Sequence, residues 1–162
     1  MGRKDEFTEE MRAVNRYLCQ YSNCIKEKDS LVRRRMEIIK DFDNPLTGIG
    51  YNSGRHGTGK NEGSATLPLK LEEIDMRISE RIDDAFLTLA GIEDIISFLP
   101  KHSLERMIFE YKYIDCWSWE KICMAEYISK SSAIRHWRKG LRMLSDMKSV
   151  KRILEEYKSG TP

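Results

Sequence analysis

Residues 104–144 read LERMIFEYKYIDCWSWEKICMAEYISKSSAIRHWRKGLRML, and their punctuation decides the fold. Ser103, Ser118 and Ser129 each stand just ahead of a helical pattern. Serine is favoured there because its hydroxyl accepts a hydrogen bond from an amide of the first turn. Behind Ser103, the apolar residues Leu104, Met107, Ile108 and Tyr111 share one helical face. After a break at Ile114-Asp115-Cys116-Trp117, a second short helix points Trp119, Ile122 and Cys123 inward and ends near Glu126-Tyr127. A third runs from Ser129 through Ala133, Ile134, Trp137, Leu141 and Leu144. The turn between the second and third helices is a few residues long. That spacing predicts a helix-turn-helix, in which the last helix stands in a DNA major groove while its partner crosses the backbone.

Charge singles out the same place. Residues 129–152 hold eight basic side chains against one acidic, in a chain whose net charge is only +2. Residues 67–101 are acidic, with four basic against eight acidic. A basic segment within a balanced chain predicts a local polyanion-binding surface, here for double-stranded DNA. At the start of the third helix, Lys130, Ser131, Ser132 and Arg135 are placed to read base edges, and Arg138, Lys139 and Arg142 to meet phosphates. Trp119 is expected in the core and Trp117 partly exposed, while His136 either faces DNA or packs against the second helix, the latter being preferred. The acidic segment has two readings: it opposes the basic helix and lowers nonspecific affinity, or it offers a surface to a protein partner.

Ahead of this region, Phe7, Met11, Val14, Leu18, Tyr21, Ile25, Val32, Ile39 and Phe42 form a heptad seam, with Lys28 and Arg35 as polar interruptions. No proline or glycine falls between Arg3 and Asn44, which predicts one continuous helix ended by Asp43-Asn44-Pro45. A second long helix is expected from near Pro68, its seam running Leu71, Ile74, Ile78, Ile82, Ala85, Leu89, Ile92, Ile96 and Leu99. Gly91 either weakens that helix or admits a close neighbour. The two seams pair as an antiparallel hairpin or, alternatively, between subunits of a homodimer. The Gly-rich stretch at about 43–67 is expected to be a disordered tip. Within it, Gly54–Asn61 reads GRHGTGKN, a partial phosphate-loop pattern with Asn61 where a magnesium-binding hydroxyl belongs and no helix signal behind it; we read it as incidental. Val150, Ile153, Leu154 and Tyr157 predict a final amphipathic helix that braces the fold or pairs subunits.

The remaining composition is exclusionary. No apolar run is long enough for a membrane span, and no signal-peptide core is present, so a cytoplasmic, nucleoid-associated protein without membrane contact is expected. Cys19, Cys24, Cys116 and Cys123 form no CxxC pair, and His56, His102 and His136 are scattered. Reduced thiols, no metal and no cofactor are expected. No nucleophile–base pair or carboxylate constellation is visible, which argues against an enzyme.

The stretch 104–144 resembles region four of housekeeping sigma factors and, more closely, phage late-gene activators of the RinA and ArpU type. The likeness rests on YIDCWSWEKI at 113–122, on Ser129, and on RKGLRML at 138–144. Ala133 and His136 stand where larger apolar residues are common, and Gly140 where alanine is usual, which leaves Trp137 either in the core or on the DNA face. The resemblance implies a prophage-encoded activator of late genes acting with host RNA polymerase. A DNA-packaging component like a small terminase subunit, or a coiled-coil adaptor with a basic tail, are the alternatives. We therefore expect an all-α protein: a long coiled-coil-like hairpin over 1–101, a helix-turn-helix domain over 102–147, and a terminal helix over 148–162.

Overall fold

A computed structural model describes residues 6–43 and 63–160 of the chain, with the side chains of 63–65 left out. Every regular element among the described residues is helical, as the patterning requires. In chain order these are α1 (Glu9–Leu18), α2 (Gln20–Asp43), α3 (Gly63–Ser97), α4 (Leu104–Phe109), a π-helical turn (Glu110–Ile114), α5 (Trp119–Glu126), α6 (Lys130–Asp146) and α7 (Lys148–Lys158). The three predicted serine caps form: the hydroxyls of Ser103, Ser118 and Ser129 accept from the amides of Arg106, Lys121 and Ser132 at 3.2, 3.3 and 3.2 Å. Thr8 caps α1 the same way.

Two long elements differ from expectation. The first helix is interrupted at Cys19, although the amides of Cys19 and Asn23 still bond the carbonyls four residues back. The Ser22 hydroxyl also donates to the Cys19 carbonyl, and such side-chain competition for backbone groups bends helices. The second long helix begins at Gly63, ahead of Pro68, so residues 63–67 are helical and do not belong to a disordered tip. The glycine-rich segment with GRHGTGKN lies outside the described residues.

Packing divides the chain into two units, each described by itself. The described residues from Cys24 to Asp84 form one. Its α2 and α3 segments are linked by Arg35 to Asp75 (2.6 Å) and Arg81 to Glu27 (3.2 Å), so Arg35, a polar break in the seam, is an ion-pairing position. The other unit joins the residues up to Asn23 with those from Ala85 onward. Its core draws Met11, Val14 and Leu18 from α1, Ile92, Ile95 and Ile96 from α3, Leu99 from the turn after it, Phe109 and Tyr113, Leu141 and Leu144 from α6, and Val150 from α7. The divisions expected at 101 and 147 thus fall inside one packed core, because residues from α1, the end of α3 and α7 join those of α6 in the same buried cluster. Tyr157 of α7 meets Tyr17 of α1 edge-on, with ring centroids 5.3 Å apart, so the terminal helix braces this unit.

Two helical glycines are close-approach points of different kinds. A Cβ on Gly140 would lie 2.5 Å from Cε2 of the fully buried Phe109 ring, whereas one on Gly91 would meet the Tyr17 hydroxyl, the free end of a half-buried side chain. Gly140→Ala should therefore cost about 1–2 kcal/mol, overpacking outweighing the gain in helix propensity. Gly91→Ala should be neutral or slightly stabilising, because Tyr17 can swing aside. Urea denaturation of both variants checks this; equal losses would show that ring mobility does not set the cost.

Candidate nucleic-acid interface

α5 and α6 are joined by Tyr127, Ile128 and Ser129. The chain reverses because Tyr127 adopts the left-handed conformation (φ 53°, ψ 42°), and the amides of both Tyr127 and Ile128 bond the Cys123 carbonyl. Ser129 then restarts the helix. α6 is strongly one-sided: Ala133, Gly140, Leu141, Leu144 and Ser145 are buried, while Ser131, Arg135, Arg138 and Arg142 lie exposed. Those four residues follow one another at i+4, i+3 and i+4, which places them on a single stripe. Among the described residues neither Arg135 nor Arg138 has an ion-pair partner.

The other three candidate residues flank the stripe and are engaged within the protein. On one side the Lys130 ammonium reaches Glu120 of α5 at 3.4 Å. On the other, Ser132 is half-buried and gives its amide to the Ser129 cap, and Lys139 pairs with Glu105 of α4 at 2.8 Å. The Ser131 and Ser129 hydroxyls share a hydrogen bond at 3.1 Å.

Trp137 faces inward. Its indole N–H donates to the Tyr113 hydroxyl (2.7 Å), which donates to Asn15 Oδ1 (2.6 Å), and its ring stacks on Phe7 and meets Trp119 edge-on. Of the two readings left open by the sequence, the structure takes the core one. Trp119 is half-buried, with the Lys112 ammonium 4.3 Å above its ring, and is therefore less enclosed than expected. Trp117 is half-buried too, stacked parallel on Tyr111 with centroids 4.4 Å apart. His136 packs as expected but against a different helix: its Nδ1 lies 3.1 Å from Glu105 Oε1 on α4.

The sequence reading missed Glu105, Phe109 and Tyr113. The inward set of α4 is Glu105, Ile108 and Phe109, one position off the expected face, and the π-helical turn carries that face on to Tyr113. Glu105 is a buried carboxylate, its side chain 8% exposed. Burial alone would raise its pKa, but hydrogen bonds from Lys139, His136 and its own backbone amide outweigh this and hold it at about 2.

The chain matches no family model, no curated protein and no solved structure. Among the described residues no helix is long and apolar enough to cross a membrane, and no cluster of His, Cys, Asp and Glu is arranged to hold a metal ion.

Glu105 also makes a pH prediction. Its folded pKa lies below the ordinary value, so its contribution to stability is full above about pH 4.5 and is lost as the pH falls towards 2. Glu105→Gln should flatten that acid limb of the stability curve, while Glu9→Gln, on an exposed pair, should leave it nearly unchanged. Identical limbs in the wild type and Glu105→Gln would refute the ion-pair assignment.

Proposed function

We propose that the protein is a sequence-specific binder of double-stranded DNA that inserts α6 into the major groove and acts as a transcriptional regulator. The observation that carries this reading is the exposed Ser131–Arg135–Arg138–Arg142 stripe, on a helix that follows α5 after a three-residue turn. Arginine suits the task because its planar fork can grip guanine O6 and N7, or a phosphate, with two hydrogen bonds. Ser131 and Arg135, nearest the helix start, read bases; Arg138 and Arg142, further along, hold the backbone. Lys130 and Lys139 supply charge at the flanks once released from Glu120 and Glu105. The sequence resemblance of residues 104–144 to late-gene activators supports a promoter as the target, with host RNA polymerase as partner in initiation. No catalytic role or cofactor enters this reading.

Selection of genomic DNA fragments at about 150 mM salt, where nonspecific phosphate contacts weaken, tests it directly. One site enriched upstream of an operon is expected; uniform retention would sink sequence-specific binding. On that site, Arg135→Ala should cost about 1–3 kcal/mol and relax the base preference, whereas Arg142→Ala should mainly reduce the salt slope by about one. Lys139→Ala should cost less affinity than Arg138→Ala, since Lys139 must first leave Glu105.

A further inference from the structure

The C-terminal part of α3 is buried on one face only. Ile92, Ile95, Ile96 and Leu99 enter the core, while Phe86 and Leu87 are 70% and 77% exposed and Phe98 is 40% exposed. Helical spacing groups the outward residues into two neighbouring stripes, Phe86–Ala90–Glu93–Ser97 and Leu87–Asp94–Phe98, about 18 Å long. The first runs into a groove between α3 and the π-helical turn, lined by Glu93, Asp94, Ser97, Glu110 and Asp115. The basic group in that groove, Arg106, is held by Glu110 at 3.0 Å. From Ile82 to Pro100 the chain contains no lysine or arginine. The surface thus carries exposed apolar side chains at its two ends, Phe86 and Leu87 at one and Phe98 at the other, with Glu93 and Asp94 between them and the acidic groove alongside.

That charge pattern selects the occupant. A second copy pairing this face with itself would set Glu93 and Asp94 near their own counterparts, a repulsion with no cation in the segment to offset it. DNA is repelled for the same reason. A helix bearing apolar residues on one side and lysine or arginine beside them satisfies both halves of the surface, burying Phe86, Leu87 and Phe98 while its cations meet the acidic groove. We propose that this face of α3 is a docking site for a basic amphipathic helix of a partner protein. The site stands apart from the α6 stripe in both residues and charge sign, and it does not depend on the DNA-binding reading.

The test uses the full chain and a 14-residue amphipathic peptide of leucine and lysine, with a scrambled peptide of equal composition and a leucine–glutamate peptide as controls. The expected result is binding of the amphipathic basic peptide with amide shifts in NMR spectra centred on residues 86–98, 110 and 115. The scrambled peptide should bind about tenfold more weakly or worse, and the acidic one not at all. The double variant Phe86→Ser, Leu87→Ser should weaken binding by about tenfold or more with an unchanged melting temperature, as expected when two exposed apolar side chains leave a contact. Glu93→Lys with Asp94→Lys should do the same by charge. Equal binding of the scrambled peptide, shifts elsewhere, or affinity untouched by these variants would overturn the proposal. So would self-association in sedimentation that the Phe86→Ser, Leu87→Ser variant abolishes, because a second copy would then be the occupant.

Discussion

The geometry of α6 depends on a buried hydrogen-bond chain, from the Trp137 indole to the Tyr113 hydroxyl to the Asn15 amide oxygen. It ties α6, the π-helical turn and α1 together through groups that would otherwise be stranded in an apolar core. An unsatisfied buried donor or acceptor costs about 1–3 kcal/mol, so a rotation of α6 that broke the Trp137–Tyr113 link would be opposed. Burial pushes the Tyr113 phenol well above its ordinary range, which keeps its proton in place to be given to Asn15. With Trp137 held inward, and Leu141 and Leu144 in line with it, the 3.6-residue repeat leaves Ser131, Arg135, Arg138 and Arg142 to face solvent.

Tyr113 itself sits in the π-helical turn that follows α4. The Asp115 amide bonds the Glu110 carbonyl five residues back, so this segment holds one more residue per turn than the α4 that leads into it. Tyr113 stands four residues after Phe109, so the inward face of α4 continues into the turn. The Tyr111–Trp117 stack follows from the exit of this turn: the chain leaves through Cys116 in the left-handed region (φ 56°) and doubles back, the Trp117 amide bonding the Tyr111 carbonyl at 2.9 Å.

What could be read from the sequence follows from the range of the forces involved. The caps at Ser103, Ser118 and Ser129 act over three residues, and all three were legible; so were the all-helical class and the inward set Ala133, Leu141 and Leu144. The face of α4 was not, because its inward set includes the charged Glu105, whose burial is tolerated only through Lys139 and His136 on another helix; counting apolar residues selects the neighbouring face instead. Gly140 shows the same limit. Its missing Cβ is explained by Phe109, more than thirty positions earlier, and no local rule connects the two. Within the candidate site the four exposed residues of the stripe were among the seven that charge and position named, but the sequence reading did not separate them from the other three. The engagement of Lys130 and Lys139 was not legible, since Glu120 and Glu105 reach them from other helices.

That engagement sharpens the electrostatics of α6. A basic helix with every cation equally exposed would present a broad positive surface, good for holding any polyanion and poor at choosing among registers. Here the two flanking lysines are each answered by a carboxylate, while the central positions carry arginines. Lysine is a compact point charge that a nearby carboxylate satisfies well; arginine offers a rigid planar fork whose donors need a partner of matching shape. The arginine stripe is thus bordered on each side by a lysine with a carboxylate within ion-pair distance. On the proposed reading, this narrows the orientations in which the helix gains from phosphate contact, and so lets a single serine and arginine near its start decide where on a duplex it rests.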